Sequence, residues 1–202
     1  QKVLPYLLSA GLTIVQNAYD AQQLVSFGLP SELLRLIPGS GVDIGRFVPV
    51  EIENQVPVVM MASRLLWDKG VGEFVSAARI LHGEGARFVL VGALDTDNPT
   101  SIPEDVLKRW VEEGVVEWWG HVEDMTKTLV FADIFCLPSF YREGLPKALL
   151  EAMACGKPCV TTDLPGCRDA VQDGDNGLLV PAKDATALAA AIARLLHDPD
   201  LR

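Results

Sequence analysis

The side chains with chemistry to offer fall in three short stretches, each directly after an apolar run. The first is Ser63-Arg64-Leu65-Leu66-Trp67-Asp68-Lys69-Gly70. Arg64 offers a planar fork for phosphate oxygens and Lys69 a mobile point charge, so the pair suits a diphosphate. From spacing alone, the plainer reading spends the same cations on surface pairs with Asp68 or Glu73. The second stretch begins Pro138-Ser139-Phe140-Tyr141-Arg142-Glu143-Gly144-Leu145-Pro146-Lys147 and continues to Gly156. Glu143 and Glu151 are eight residues apart, roughly 12 Å along a helix at 1.5 Å per residue, which puts one carboxylate at the mouth and the other about two turns deeper. Carboxylates so placed can bind hydroxyls at the two ends of an extended ligand. Gly144 and Leu145 would present free backbone N–H groups at the helix start, and Pro146 suits a first turn that needs no N–H partner. Such a helix end attracts phosphate or sugar oxygens. The plainer reading makes Glu143 a capping anion and Glu151 a solvated helix residue. Against it, Glu151 sits among Leu149, Leu150, Ala152 and Met153, and a carboxylate in apolar company needs a partner. The third stretch, from Thr161 to Asp169, is polar and glycine-bearing, and serves as a ligand contact or as a connector.

Other chemistries lack their residues. No GxGxxG follows any apolar run, and Cys155-Gly156-Lys157-Pro158 has neither the spacing nor the hydroxyl of a P-loop. His82, His121 and His197 are scattered, and Cys136, Cys155, Cys159 and Cys167 form no CxxC pair. Zinc chemistry therefore has no support, no metal is expected, and the cysteines read as reduced, buried thiols of a cytosolic protein. A net charge of −10, from 27 acidic and 17 basic residues, argues against nucleic acid as a partner while leaving room for a local basic pocket. No stretch approaches the roughly 20 apolar residues of a membrane span, and no leader pattern opens the chain.

The elements that must hold these stretches follow from periodicity. Near-continuous apolar runs predict strands over 12–15, 58–62, 88–91, 115–119, 134–137, 159–162 and 177–180. Amphipathic stretches predict helices over 20–27, 70–82, 103–113, 125–131, 145–154 and 184–196, the last capped by Asp184. Strands and helices in alternation give an α/β fold with a doubly wound parallel sheet, whose ligands bind at the carboxyl ends of the strands. The first fifty residues differ: a helix, one strand and a second helix precede the loop Ile37-Pro38-Gly39-Ser40-Gly41-Val42-Asp43. One strand makes no sheet, so residues 1–36 read as the tail of another unit and linker, or as an added edge, and residues 37–202 as the domain. With no initial methionine and an end at a helix, the chain reads as an excised fragment.

The run Glu143-Gly144-Leu145-Pro146-Lys147-Ala148-Leu149-Leu150-Glu151 through Pro158 resembles the E-x7-E segment of retaining glycosyltransferases of the GT-B fold, family 4. Ser63-Arg64-Leu65 with Lys69-Gly70 resembles that family's diphosphate-binding strand end. Pro38 to Asp43 resembles the loop opening its second domain, and Asp173-Gly174-Asp175-Asn176-Gly177-Leu178-Leu179-Val180 its later segment. The resemblance covers most of residues 37–196. It implies a Rossmann-like half of a GT-B enzyme, the C-terminal nucleotide-sugar-binding domain. Arg64, Lys69 and Glu143 would be catalytic, the two cations stabilising the departing diphosphate and Glu143 facing the donor sugar. Gly41, Gly144, Leu145, Pro146, Glu151 and His121 would bind the donor, Glu151 through the ribose hydroxyls. No cofactor and no metal would be needed. Leu145 and Pro146 depart from the family pattern, which has an aromatic residue and then glycine there, and Pro146 removes one N–H donor. Ser40 stands where the family commonly has asparagine.

The implied function is a UDP-sugar-using, retaining transfer to a glycan or polyprenyl-linked acceptor, with the fragment expected to be inactive without its partner domain. Surface polysaccharide synthesis at the inner face of a membrane, in the cytoplasm with peripheral contact, fits the resemblance to bacterial enzymes. The rival readings are a sugar-nucleotide epimerase of the same fold and a non-catalytic nucleotide- or sugar-binding module.

Overall fold

The computed structural model describes residues 11–202. The helix expected at the start of the first fifty residues lies outside them. Two parallel sheets are present among the described residues. The first pairs β1 (Thr13–Val15) with β2 (Leu34–Leu36), joined by α1 (Ala18–Ser26). The expectation of a single strand in this segment is therefore corrected. Leu34-Arg35-Leu36 is too short to show a period, and its pairing comes from the crossover that α1 makes.

The main sheet holds six strands in the order β5-β4-β3-β6-β7-β8, every pair parallel. They are β3 (Val58–Ala62), β4 (Arg87–Val91), β5 (Glu117–Trp118), β6 (Ile134–Leu137), β7 (Cys159–Thr162) and β8 (Gly177–Val180). All residues of β3, β6 and β7 are buried, as required of strands covered on both faces. The helices are α2 (Val71–Ile80), α3 (Glu104–Glu112), α4 (Met125–Leu129), α5 (Lys147–Ala154), α6 (Cys167–Ala170) and α7 (Ala185–His197). Phe74, Phe135, Met60, Met61, Leu90 and Ile134 are among the largest fully buried side chains of the core. The α/β fold with a doubly wound parallel sheet is as expected. Asp184 caps α7 as its sequence signal required, accepting from the Ala187 amide at 2.8 Å.

Most boundaries shift by a residue or two, and three departures are larger or bear on the site. The strand expected over 115–119 shrinks to two residues, because β5 is the sheet edge and pairs only with β4. The helix expected from residue 145 starts at Lys147 with Pro146 as its N-cap, since Pro146 takes an extended ψ of 114°. The third stretch holds a short helix, α6, that its polar composition concealed.

Strand order reverses between β3 and β6, and ligands in such sheets sit at the carboxyl ends beside that switch point. The loops after β3 and β6 are the two that carry Arg64, Lys69 and Glu143. Two glycines let the loops approach. A Cβ on Gly92, after β4, would lie 1.8 Å from the Ser63 carbonyl oxygen, and one on Gly70 would lie 2.1 Å from that of Pro138. Both have positive φ, 142° and 81°, so any side chain there meets backbone as well as strain.

Candidate functional site

Two cavities flank the start of α5, and they share no lining residue. The first, of 460 Å³, lies over the ends of β3 and β4 and is lined by Arg64, Asp95, His121 and Glu151 among apolar neighbours such as Val91 and Ala148. Glu151 is 9% exposed. Its only ion-pair partner among the described residues is Lys147, 3.5 Å away and one helical turn earlier, whose side chain is 66% exposed. A carboxylate so buried with one loose, solvated partner can accept hydrogen bonds from ligand hydroxyls. Arg64 stands across the cavity with Nη1 2.9 Å from Asp95 Oδ2. His121 follows Gly120, whose carbonyl accepts from the Gly92 amide at 2.8 Å, so the loops after β4 and β5 are tied where the cavity opens.

The second cavity, of 490 Å³, is lined by Tyr19 and Asp20 of α1, by Phe140 to Glu143, and by Arg168 and Asp169 of α6. Glu143 reaches back from this rim. Its Oε1 accepts from Lys69 Nζ at 2.5 Å and from Ser139 Oγ at 2.9 Å. Both partners of the ion pair are largely buried, with side chains 14% and 11% exposed, and the Lys69 ammonium lies 5.0 Å from the centre of the Tyr141 ring. Ser139 is fully buried. Loop packing places it there: Phe140 and Tyr141 donate their amides to the Asp68 carbonyl at 2.9 and 2.8 Å, and Thr162 Oγ1 donates to the Ser139 carbonyl at 2.5 Å. The loop carrying Lys69 is thus bonded to the loop carrying Glu143.

The structure brings Arg64, His121 and Glu151 together, and separately brings Lys69 and Glu143 together. The helical spacing expected between Glu143 and Glu151 does not hold, because α5 begins four residues after Glu143. The two acids face different cavities, one on either side of the helix start. Gly144 and Leu145 lie between them, with amides that have no acceptor among the described residues. Leu145 packs on Gly39, where a Cβ would come within 2.9 Å of it. Pro146, expected in the first turn, is the N-cap. Gly41 joins neither cavity: it takes a positive φ of 72° in an exposed turn, where a Cβ would meet nothing within 4 Å.

Asp95, Ser139 and Asn17 are the additions. Only Asn17, an N-cap residue before an amphipathic helix, carried a sequence signal. No tryptophan lines either cavity; Trp67 stacks edge-on with Trp110 at 5.9 Å, and Trp119 does so with Phe131 at 6.2 Å. The four cysteines are free and buried. Burial pushes the Cys159 thiol up to about 12, so it supplies no thiolate nucleophile at neutral pH.

A family model described as "Glycosyl transferases group 1" matches residues 56–198. The chain belongs to this family. Its fold is that of the C-terminal domain of GT-B glycosyltransferases. The chain is 35% identical, over 94% of its length, to N,N'-diacetylbacillosaminyl-diphospho-undecaprenol alpha-1,3-N-acetylgalactosaminyltransferase of Campylobacter jejuni, covering 52% of that protein. It is 33% identical, over 88% of its length, to the putative colanic acid biosynthesis glycosyltransferase WcaL of Salmonella typhimurium, covering 46% of it. It thus spans about half the length of these curated relatives. Among solved structures, Anabaena HepE in complex with UDP and glucose superimposes with a TM-score of 0.83 at 22% identity, over 98% of this chain and 57% of that one, a likeness of fold.

Proposed function

We propose that this chain is the donor-binding part of a glycosyltransferase that takes a UDP-sugar and transfers the sugar, with retention, to a glycan or polyprenyl-linked acceptor in surface polysaccharide synthesis. The observation that carries the reading is the buried Glu151 carboxylate lining the same cavity as Arg64, at the switch point of the sheet. Glu151 accepts the ribose hydroxyls, and Arg64 exchanges Asp95 for the diphosphate. The charge that grows on the diphosphate as the sugar leaves is then met by fixed cations, Arg64 and Lys69, without a metal ion. Glu143 and the Gly144 and Leu145 amides face the sugar. The names of the relatives support a lipid-linked or polysaccharide acceptor, and the UDP complex of the fold neighbour supports the nucleotide.

In this reading residues 1–36 end an acceptor-binding domain and residues 37–202 form the donor-binding one. Transfer needs both, and takes place at the cytoplasmic face of a membrane that supplies the acceptor. Calorimetric titration with UDP in the presence of EDTA tests the core of it. Binding is expected without metal, weakened by roughly tenfold to a hundredfold in Arg64→Ala, the range for a lost hydrogen bond to a charged group, and clearly weakened in Glu151→Ala. Unchanged affinity in both variants overturns the assignment. Persistent UDP binding with no turnover of UDP-sugars, once the chain is joined to a second half like that of its relatives, would favour a non-catalytic binding module.

A further inference from the structure

Glu143 and Gly144 are gripped from a segment 126 residues earlier in the chain. Asn17, 3% exposed, donates its side-chain amide to the Glu143 and Gly144 carbonyls, each at 3.2 Å, and to Asp20 Oδ2 at 2.9 Å. An amide nitrogen has two hydrogens, so one serves Asp20 and the other is shared by the two loop carbonyls. The Asn17 carbonyl oxygen meanwhile accepts from the Asp20 backbone amide at 2.7 Å and caps α1. Beside it, Gln16 lies against the Gly144 α-carbon, where a Cβ would stand 1.8 Å from Gln16 Oε1. From the other side Gly166 closes on the same two carbonyls, its missing Cβ falling 2.6 Å from each.

The loop therefore has little freedom at these two residues. Its carbonyls point into the clamp, and across trans peptides this turns the Gly144 and Leu145 amides the opposite way. We infer that Asn17 is a positioning residue for the donor sugar: it fixes the Glu143–Gly144 peptide from the β1–α1 corner. The corner belongs to the small β1–β2 sheet, so the residues assigned to the sugar are tied to that sheet as well as to the six-stranded one. It leaves the cavity of Arg64 and Glu151 untouched, because neither Asn17 nor Gln16 lines it. This inference rests on the proposed donor reading and adds a division of labour within it. The nucleotide is held independently of β1 and α1, while the sugar is not.

The test separates positioning from plain stabilisation. Asn17→Ser retains a capping oxygen for α1 but has one O–H in place of the two-hydrogen amide; Asn17→Ala removes the cap as well. Affinities for UDP and for a UDP-N-acetylhexosamine are measured by calorimetry in this chain, alongside thermal melting. Both variants are expected to lose about tenfold in UDP-sugar affinity while UDP affinity stays within about twofold of the parent, the order expected when hydrogen bonds that fix a loop are lost. Asn17→Ala, which loses the cap as well, should melt earlier than Asn17→Ser. If UDP and UDP-sugar affinities fall together, or only in the variant that melts earlier, Asn17 merely stabilises the fold and the inference is overturned. If the parent chain binds no UDP at all, it is the donor reading itself that fails.

Discussion

The ion pair between Lys69 and Glu143 should show strong coupling in a double-mutant cycle. Its side chains are 14% and 11% exposed, so removing one partner strands a charge in a poorly hydrated place. Breaking a buried pair in this way costs about 3–5 kcal/mol. Two features of the structure lower that figure here. Ser139 Oγ still donates to Glu143 at 2.9 Å when Lys69 is removed, and neither side chain is wholly dry. Lys69→Met or Glu143→Gln alone should therefore cost about 2–3 kcal/mol. At roughly 2–4 °C per kcal/mol for a chain of this size, each should lower Tm by about 4–12 °C.

In the double variant the methionine lies over the Tyr141 ring, a favourable sulfur–aromatic contact, and the glutamine carbonyl accepts from Ser139. No charge is left unpaired, so the total loss should be about 1 kcal/mol and the coupling about 3 kcal/mol or more. Denaturant unfolding of all four proteins, with equal m-values as the check on two-state behaviour, measures this. A double variant that loses the sum of the two single losses would refute the reasoning, and would mean that the two side chains stabilise the fold independently of each other.

Gly92→Ala should cost about 3 kcal/mol or more and abolish UDP binding together, since its Cβ would sit 1.8 Å from the Ser63 carbonyl and displace the residue before Arg64. Gly114→Ala, also at positive φ but with open space around it, should cost about 1 kcal/mol and leave binding intact; equal effects in melting and titration would count against the close approach. At the sheet edge, Arg87 holds Glu117 through two bonds of 2.7 and 2.8 Å, and these depress the Glu117 carboxyl below its ordinary 4.5. A depressed acid contributes stability that is present above the unfolded value and lost as pH falls through the folded one. The stability gap between the parent and Glu117→Gln should thus be present at about pH 6, stay below about 1 kcal/mol for so exposed a pair, and close progressively as pH falls below 4.5; a gap that widens on acidification would contradict it.

Local pattern was enough for much of this protein. The apolar runs of β3, β6 and β7 read as buried parallel strands because both faces of each are covered, and no alternation was needed to see it. Asp184 announced the start of α7, and Arg64, Lys69, Glu143 and Glu151 stood out as side chains suited to phosphate and hydroxyl oxygens near the strand ends. Arg64, His121 and Glu151 do converge. What spacing misjudged was continuity: Glu143 is a loop residue four places ahead of Lys147, where the helix starts, so no helical period could give its direction.

The pairing of β1 with β2, the split of the two acids between two cavities, and the grip of Asn17 on the Glu143 and Gly144 carbonyls belong to tertiary structure alone. Each depends on which distant backbone comes within hydrogen-bond reach, a matter of crossover geometry and close packing. Three residues such as Leu34-Arg35-Leu36 or a single asparagine carry no record of that. Sequence determined that a set of side chains suited to a diphosphate exists and stands at the carboxyl edge of a parallel sheet. The fold decided which of them share a cavity, because only the order of the strands places residues far apart in the chain around one space.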